Sequence, residues 1–174
     1  MGRRCRNWDY CGKGAYQITI TLADRKSRAL GRLDYAEGRG AFVELSDLGR
    51  LVEGFVGRIP EFSPEIDVLG AQLMPDHLHL LIHIKDTGDQ LALGKYVYQL
   101  MKALTAAYWE VAGMADGTAI DTTRTVRSVS YQSGVLPAPS GNIPRKRPPI
   151  FARDWHDWIV KKDGQLAAFT RYIR

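Results

Sequence analysis

Met74-Pro75-Asp76-His77-Leu78-His79-Leu80-Leu81-Ile82 sets two of the chain's four histidines one residue apart, within an apolar run that follows a proline turn. The Pro-Asp pair favours a turn, and the residues after it read as a β-strand. Side chains two apart on a strand share a face, so His77 and His79 point one way while Leu78 and Leu80 point the other. Their Cα atoms then lie roughly 7 Å apart, a span across which two imidazoles can converge on one divalent cation.

Upstream, Ala15 to Leu22 is rich in aromatic and β-branched residues and predicts a first strand. Residues 25 to 40 are polar and glycine-rich, which predicts a loop with a short strand about Leu33, and Phe42 to Leu45 predicts a second short strand. Ser46 reads as a helix N-cap. After it Leu48, Leu51, Val52, Phe55 and Val56 recur at helical spacing, with Pro60 and Pro64 expected to close the helix. Ile66 to Leu73 predicts the strand that precedes the Pro75-Asp76 turn, and the histidine strand runs to about Ile84. Downstream, Leu93, Val97, Leu100, Leu104 and Tyr108 form the apolar stripe of a long helix from Leu91 to Val111. Residues 113 to 149 lose periodicity and hold five of the eight prolines, which predicts a long flexible loop or insertion. An extended piece from Ile150 through Val160 and a last helix from about Gly164 close the chain. This order predicts an α+β sandwich, with helices packed on an antiparallel sheet.

At 174 residues, with 45% hydrophobic and 25% charged residues, the chain suits one compact domain spanning 1–174. No apolar run approaches the roughly 20 residues that span a bilayer, and the basic N-terminus lacks a signal-peptide core. The expectation is a cytoplasmic protein with no membrane partner. Cys5 and Cys11 lack a second pair to complete a zinc site and read as free thiols. The net charge of +5 is weak evidence for nucleic acid by itself. Its clustering is more suggestive, at Arg3, Arg4, Arg6, Lys13, Arg25, Lys26 and Arg28 and again at Arg145-Lys146-Arg147.

The segment MPDHLHLLI, together with the terminal FARDWHDWIVKKDGQLAAFTRYIR, resembles the single-tyrosine HUH transposases, the IS200-like enzymes and the REP-associated tyrosine transposases. In that family a strand carries His-hydrophobic-His after a Met-Pro-polar turn, and a downstream His-Asp element leads through a polar turn into a helix ending in Tyr-Ile. Here those elements are Met74 to His79, His156-Asp157, and Tyr172-Ile173. The resemblance is firmest over 150–174 and looser over 15–22 and 42–111. It implies an RRM/ferredoxin-like antiparallel sheet with helices on one face, a divalent Mg or Mn ion, and cleavage of single-stranded or hairpin DNA. By position it implies that His77 and His79 are metal ligands and Tyr172 the nucleophile. The expected activity is nicking and rejoining of DNA through a 5′-phosphotyrosine intermediate. The family's third ligand, an Asn or Gln one helical turn beyond the tyrosine, falls past Arg174. A homodimer exchanging tyrosine helices is an arrangement the resemblance leaves open.

Each candidate has a plainer reading. Tyr172 would be a packing tyrosine without the resemblance. His156 and Asp157 either support the active site or serve packing, and Asp76 reads as a turn stabiliser. His83 shares the strand face but lies about 13 Å beyond His79 and reads as structural. Arg145, Lys146, Arg147 and Lys102 are the candidate DNA contacts, the first three equally a solvated charge run. Trp155 and Trp158 are candidates for stacking on bases, with burial expected for at least one. A nucleic-acid-binding protein of the same fold without catalysis is the main rival function. A hydrolase of small phosphoesters that uses the same histidines is a weaker one.

Overall fold

The computed structural model describes residues 10, 13–85, 92–114, 149–161 and 163–172. Ten elements follow in order: β1 (Gly14–Leu22), β2 (Gly31–Ala36), β3 (Gly40–Leu45), α1 (Asp47–Gly57), α2 (Ile59–Phe62), β4 (Ile66–Met74), β5 (His77–Ile84), α3 (Leu93–Met114), β6 (Phe151–Val160) and α4 (Asp163–Tyr172). A 3-10 turn at Arg25–Ser27 follows β1.

Four strands form one antiparallel sheet in the order β4-β5-β1-β6, while β2 and β3 pair separately. With the β2–β3 hairpin set aside, the chain runs β1-α1-β4-β5-α3-β6. That succession and strand order make the ferredoxin-like split βαβ arrangement, the fold the resemblance implied.

Alternation along the central strands decides where the core sits. Tyr16, Ile18, Ile20 and Leu22 of β1 and Leu78, Leu80, Ile82 and Ile84 of β5 point to one face and are buried. Leu48, Leu51, Val52, Phe55 and Val56 of α1, with Leu93, Val97, Leu100 and Leu104 of α3, complete the same cluster. Each fully buried aliphatic side chain contributes roughly 1.5–3 kcal/mol. The opposite face carries the histidines.

Ser46 caps α1 as expected: its hydroxyl accepts from the Gly49 amide at 3.0 Å and donates to the Ala29 carbonyl at 2.5 Å. Gly49 is required there, because a Cβ would stand 2.0 Å from the Leu30 carbonyl oxygen.

Two expectations are corrected. Residues 31 to 45 form a full two-stranded hairpin rather than a loop with isolated short strands. Pro60 does not close α1, which ends at Gly57; it sits in the first turn of α2, where its missing amide costs no hydrogen bond. The region expected as an insertion is outside the described residues from 115 to 148. Among the described residues, no helix is long and apolar enough to cross a membrane, which says nothing of β-barrels.

Candidate metal centre

The Pro75–Asp76 turn is tied to the end of β1. The Leu22 amide donates to the Asp76 carbonyl at 2.9 Å, and the Leu30 amide to that of Pro75 at 3.1 Å. His77 and His79 therefore leave a braced turn on a central strand of the sheet. Both are half-buried on the face opposite the core.

Their rings lie edge to face, with centroids 4.6 Å apart and planes at 86°. The two Nε2 atoms are 3.0 Å apart. Adjacent corners of an octahedron with bonds of about 2.1 Å are about 3.0 Å apart, while tetrahedral ligands at that bond length would be about 3.4 Å apart. A separation of 3.0 Å is hydrogen-bond distance and also falls in the range spanned by two ligands of one divalent cation, so these two nitrogens are the atoms that could hold one. Among the described residues, no group of three or more His, Cys, Asp or Glu side chains is gathered for a metal, so the pair is an incomplete donor set on its own.

What orients the rings comes from elsewhere in the chain. Asp76 Oδ1 lies 2.7 Å from His77 Nδ1, and its Oδ2 accepts from Arg25 Nε at 2.8 Å. Desolvation alone would raise the Asp76 pKa. The hydrogen bonds from His77 and Arg25 outweigh it and hold the carboxyl below the usual range. A carboxylate only accepts, so Nδ1 of His77 donates and, in the neutral ring, Nε2 keeps a lone pair directed toward His79. This is the carboxylate–histidine pairing that sets the tautomer of metal-binding imidazoles.

His79 Nδ1 lies 3.0 Å from Thr19 Oγ1 and 3.4 Å from Gln17 Nε2, both on β1. Burial, and then the nearby charge of His77, lower the His79 pKa and favour a neutral ring. At 3.0 Å, either one Nε2 carries a proton toward the other or both lone pairs face a cation. A hydroxyl donates or accepts, so Thr19 accommodates both tautomers of His79.

The other candidates distribute unevenly. Strand register puts Gln72, His79, Thr19 and His156 in one row across the sheet, so His156 shares the histidine face. Asp157 alternates to the opposite side, opposite Ile18. Lys102 stands exposed on α3, in the helix layer across the sheet from the histidines, with Nζ 5.5 Å from the centre of the Tyr98 ring. His83 is 3.7 Å from Asp67, whose other oxygen accepts from Lys85 at 2.7 Å. Arg145, Lys146, Arg147 and Ile173 lie outside the described residues. Tyr172 ends α4, which packs against β6, and its side chain also lies outside them. Sequence reading missed these supports: Asp76 read only as a turn stabiliser, Arg25 only as part of the basic N-terminal cluster, and Thr19 and Gln17 carried no motif.

No protein-family model and no curated protein matches this sequence. Among solved structures, the chain is similar to a REP-associated tyrosine transposase bound to a REP hairpin. The TM-score is 0.55 at 11% identity, covering 99% of this chain and 70% of that one. That likeness establishes the shared fold. A candidate transposase from Deinococcus radiodurans R1 overlaps 98% of this chain and 95% of its own at 12% identity, but with a TM-score of 0.45 it carries no weight.

Proposed function

We propose that this chain is a single-tyrosine HUH enzyme of the REP-associated or IS200-like kind, which nicks and rejoins single-stranded DNA as one domain over 1–174. The observation that carries the reading is the pair of Nε2 atoms 3.0 Å apart, on a ferredoxin-like sheet whose last strand leads to a helix ending in Tyr172. The REP hairpin bound by the structural neighbour supports hairpin DNA as the partner.

In this reading His77 and His79 hold a Mg or Mn ion, which when bound neutralises phosphate charge and orients the scissile group. Asp76 and Arg25 keep the His77 lone pair directed, and Thr19 steadies His79. Tyr172 attacks the phosphorus and gives up its phenolic proton, because a neutral phenol with a pKa of about 10 is a poor nucleophile, and the departing 3′-oxygen takes up a proton in exchange. The new bond is a 5′-phosphotyrosine, and the bond broken releases a 3′-hydroxyl. Attack by another 3′-hydroxyl reverses the step and expels the tyrosine, so rejoining consumes no nucleoside triphosphate.

The test is incubation of the protein with Mn and hairpin-flanked single-stranded DNA, followed by denaturing electrophoresis. A covalent adduct is expected, and Tyr172→Phe, His77→Ala and His79→Ala should each abolish it. An adduct that survives Tyr172→Phe would sink the reading. The hairpin bound by the structural neighbour is equally compatible with one second reading, a DNA-binding protein that keeps the fold without catalysis. Hairpin binding that persists with no adduct under any divalent ion would select it.

A further inference from the structure

We infer that Trp158 is a base-stacking subsite beside the histidine pair, taking the unpaired base next to the phosphate held there. The inference rests on the reading of the site proposed above and adds to it the residue that engages a base.

On the face opposite the core, Met74, His77 and Thr21 form one row; Gln72, His79, Thr19 and His156 form the next; Gly70, Leu81, Gln17 and Trp158 form the third. Trp158 therefore stands two strands over and one row along from His79, about 12 Å between Cα atoms from the strand and residue spacings. A base adjoining a phosphate at the histidines falls within that reach.

Exposure separates the two tryptophans of β6. Trp155 faces the helix side, is half-buried and packs against the core. Trp158 is 60% exposed on the histidine face. An indole left largely in water forgoes most of the stabilisation that burial gives so large a ring. Its neighbours on that face are mixed: Gln17 and the exposed His156 are polar, Ala15 and Val160 are apolar and half-buried, and Leu81 in its own row is fully buried, so the exposed indole rises from a partly polar surface. A flat, exposed aromatic with Gln17 and His156 beside it, on a chain of net charge +5, matches how single strands are held: a ring for each base and cations for the backbone. Duplex DNA offers no such base, because its faces are already stacked.

The test compares the full chain with Trp158→Ala, Trp158→Leu and Trp158→Phe. The probes are a fluorescein-labelled mixed-sequence single strand and the same sequence as a duplex, read by anisotropy in EDTA. Trp158→Ala and Trp158→Leu should weaken single-strand binding about tenfold, the equivalent of about 1.4 kcal/mol, and leave duplex binding unchanged. Trp158→Phe should retain most of the affinity, and the single strand should quench tryptophan emission less in that variant than in the native chain. If Trp158→Ala melts early, Trp158→Leu keeps the apolar bulk and carries the test.

Equal single-strand affinity in the Ala and Leu variants would overturn the inference, as would equal losses on both probes. Adduct formation reads the enzymatic proposal separately. Stacking without an adduct removes the enzyme and leaves the subsite, and an adduct with unchanged binding in the variants removes the subsite alone.

Discussion

Replacing Asp76 with alanine tests whether the turn before the histidine strand serves the metal centre. Its carboxylate lies 2.7 Å from His77 Nδ1 and 2.8 Å from Arg25 Nε. The Asp76 and His77 side chains are only 21% and 19% exposed, so their contact is little screened by solvent. Removing a carboxylate that orients a liganding histidine costs about 10–100-fold in metal affinity. With this burial we expect about 30-fold for Asp76→Ala, equivalent to about 2 kcal/mol. Asp76→Asn can still accept from Nδ1 and should lose less, about fivefold, because only the charge is gone. Arg25 is 65% exposed, and an exposed ion pair is worth roughly 0–1 kcal/mol, so Arg25→Ala should lose no more than about fivefold. The assay is Mn titration of the full chain, with free Mn followed by electron paramagnetic resonance and folding checked by circular dichroism. A folded Asp76→Ala chain that binds Mn within a factor of two of native would refute the reasoning. So would an Arg25→Ala loss as large as that of Asp76→Ala.

Three further outcomes concern Asp76, Tyr96 and Gly49. The Asp76 pKa is lowered in the fold, so its charge stabilises the protein above the unfolded carboxyl value of about 3.9, and that gain is lost as pH falls through the lower folded value. The melting-temperature gap between native and Asp76→Asn should hold from neutral pH to about 5 and narrow below about 4; a gap constant into strong acid contradicts this. The Tyr96 hydroxyl is buried with no hydrogen-bond partner among the described residues, and burial raises its pKa. Tyr96→Phe should therefore stabilise by about 1 kcal/mol, seen as a melting temperature higher by about 3 °C, and a lower one would show that the hydroxyl is satisfied. Gly49→Ala drives a methyl against the Leu30 carbonyl and should cost about 3 kcal/mol in denaturant unfolding, with a loss under about 1 kcal/mol counting against the close approach.

Where one face of an element meets the core, the sequence was legible. The α1 stripe of Leu48, Leu51, Val52, Phe55 and Val56 is buried as its spacing predicts, and so are Leu78 and Leu80 between the two histidines. The β2–β3 hairpin was not, because Leu33 and Tyr35 are 59% and 71% exposed and no alternation of burial marks β2. Pro60 misled because a proline that stops one helix is equally at home in the first turn of the next.

Period and composition alone determine that two imidazoles share a strand face, that two segments form helices with one apolar stripe each, and that a last helix carries a tyrosine. These are properties of neighbours in the chain. Only the tertiary structure decides what holds the imidazoles, since Arg25, Thr19 and Gln17 lie 51 to 62 residues from their partners and meet them through the pairing of β1 with β5. It also decides which tryptophan of β6 faces the histidines, because that depends on the register of β6 against β1. Register is set by long-range burial, and a shift of one residue would turn Trp158 into the core and Trp155 out to the open face.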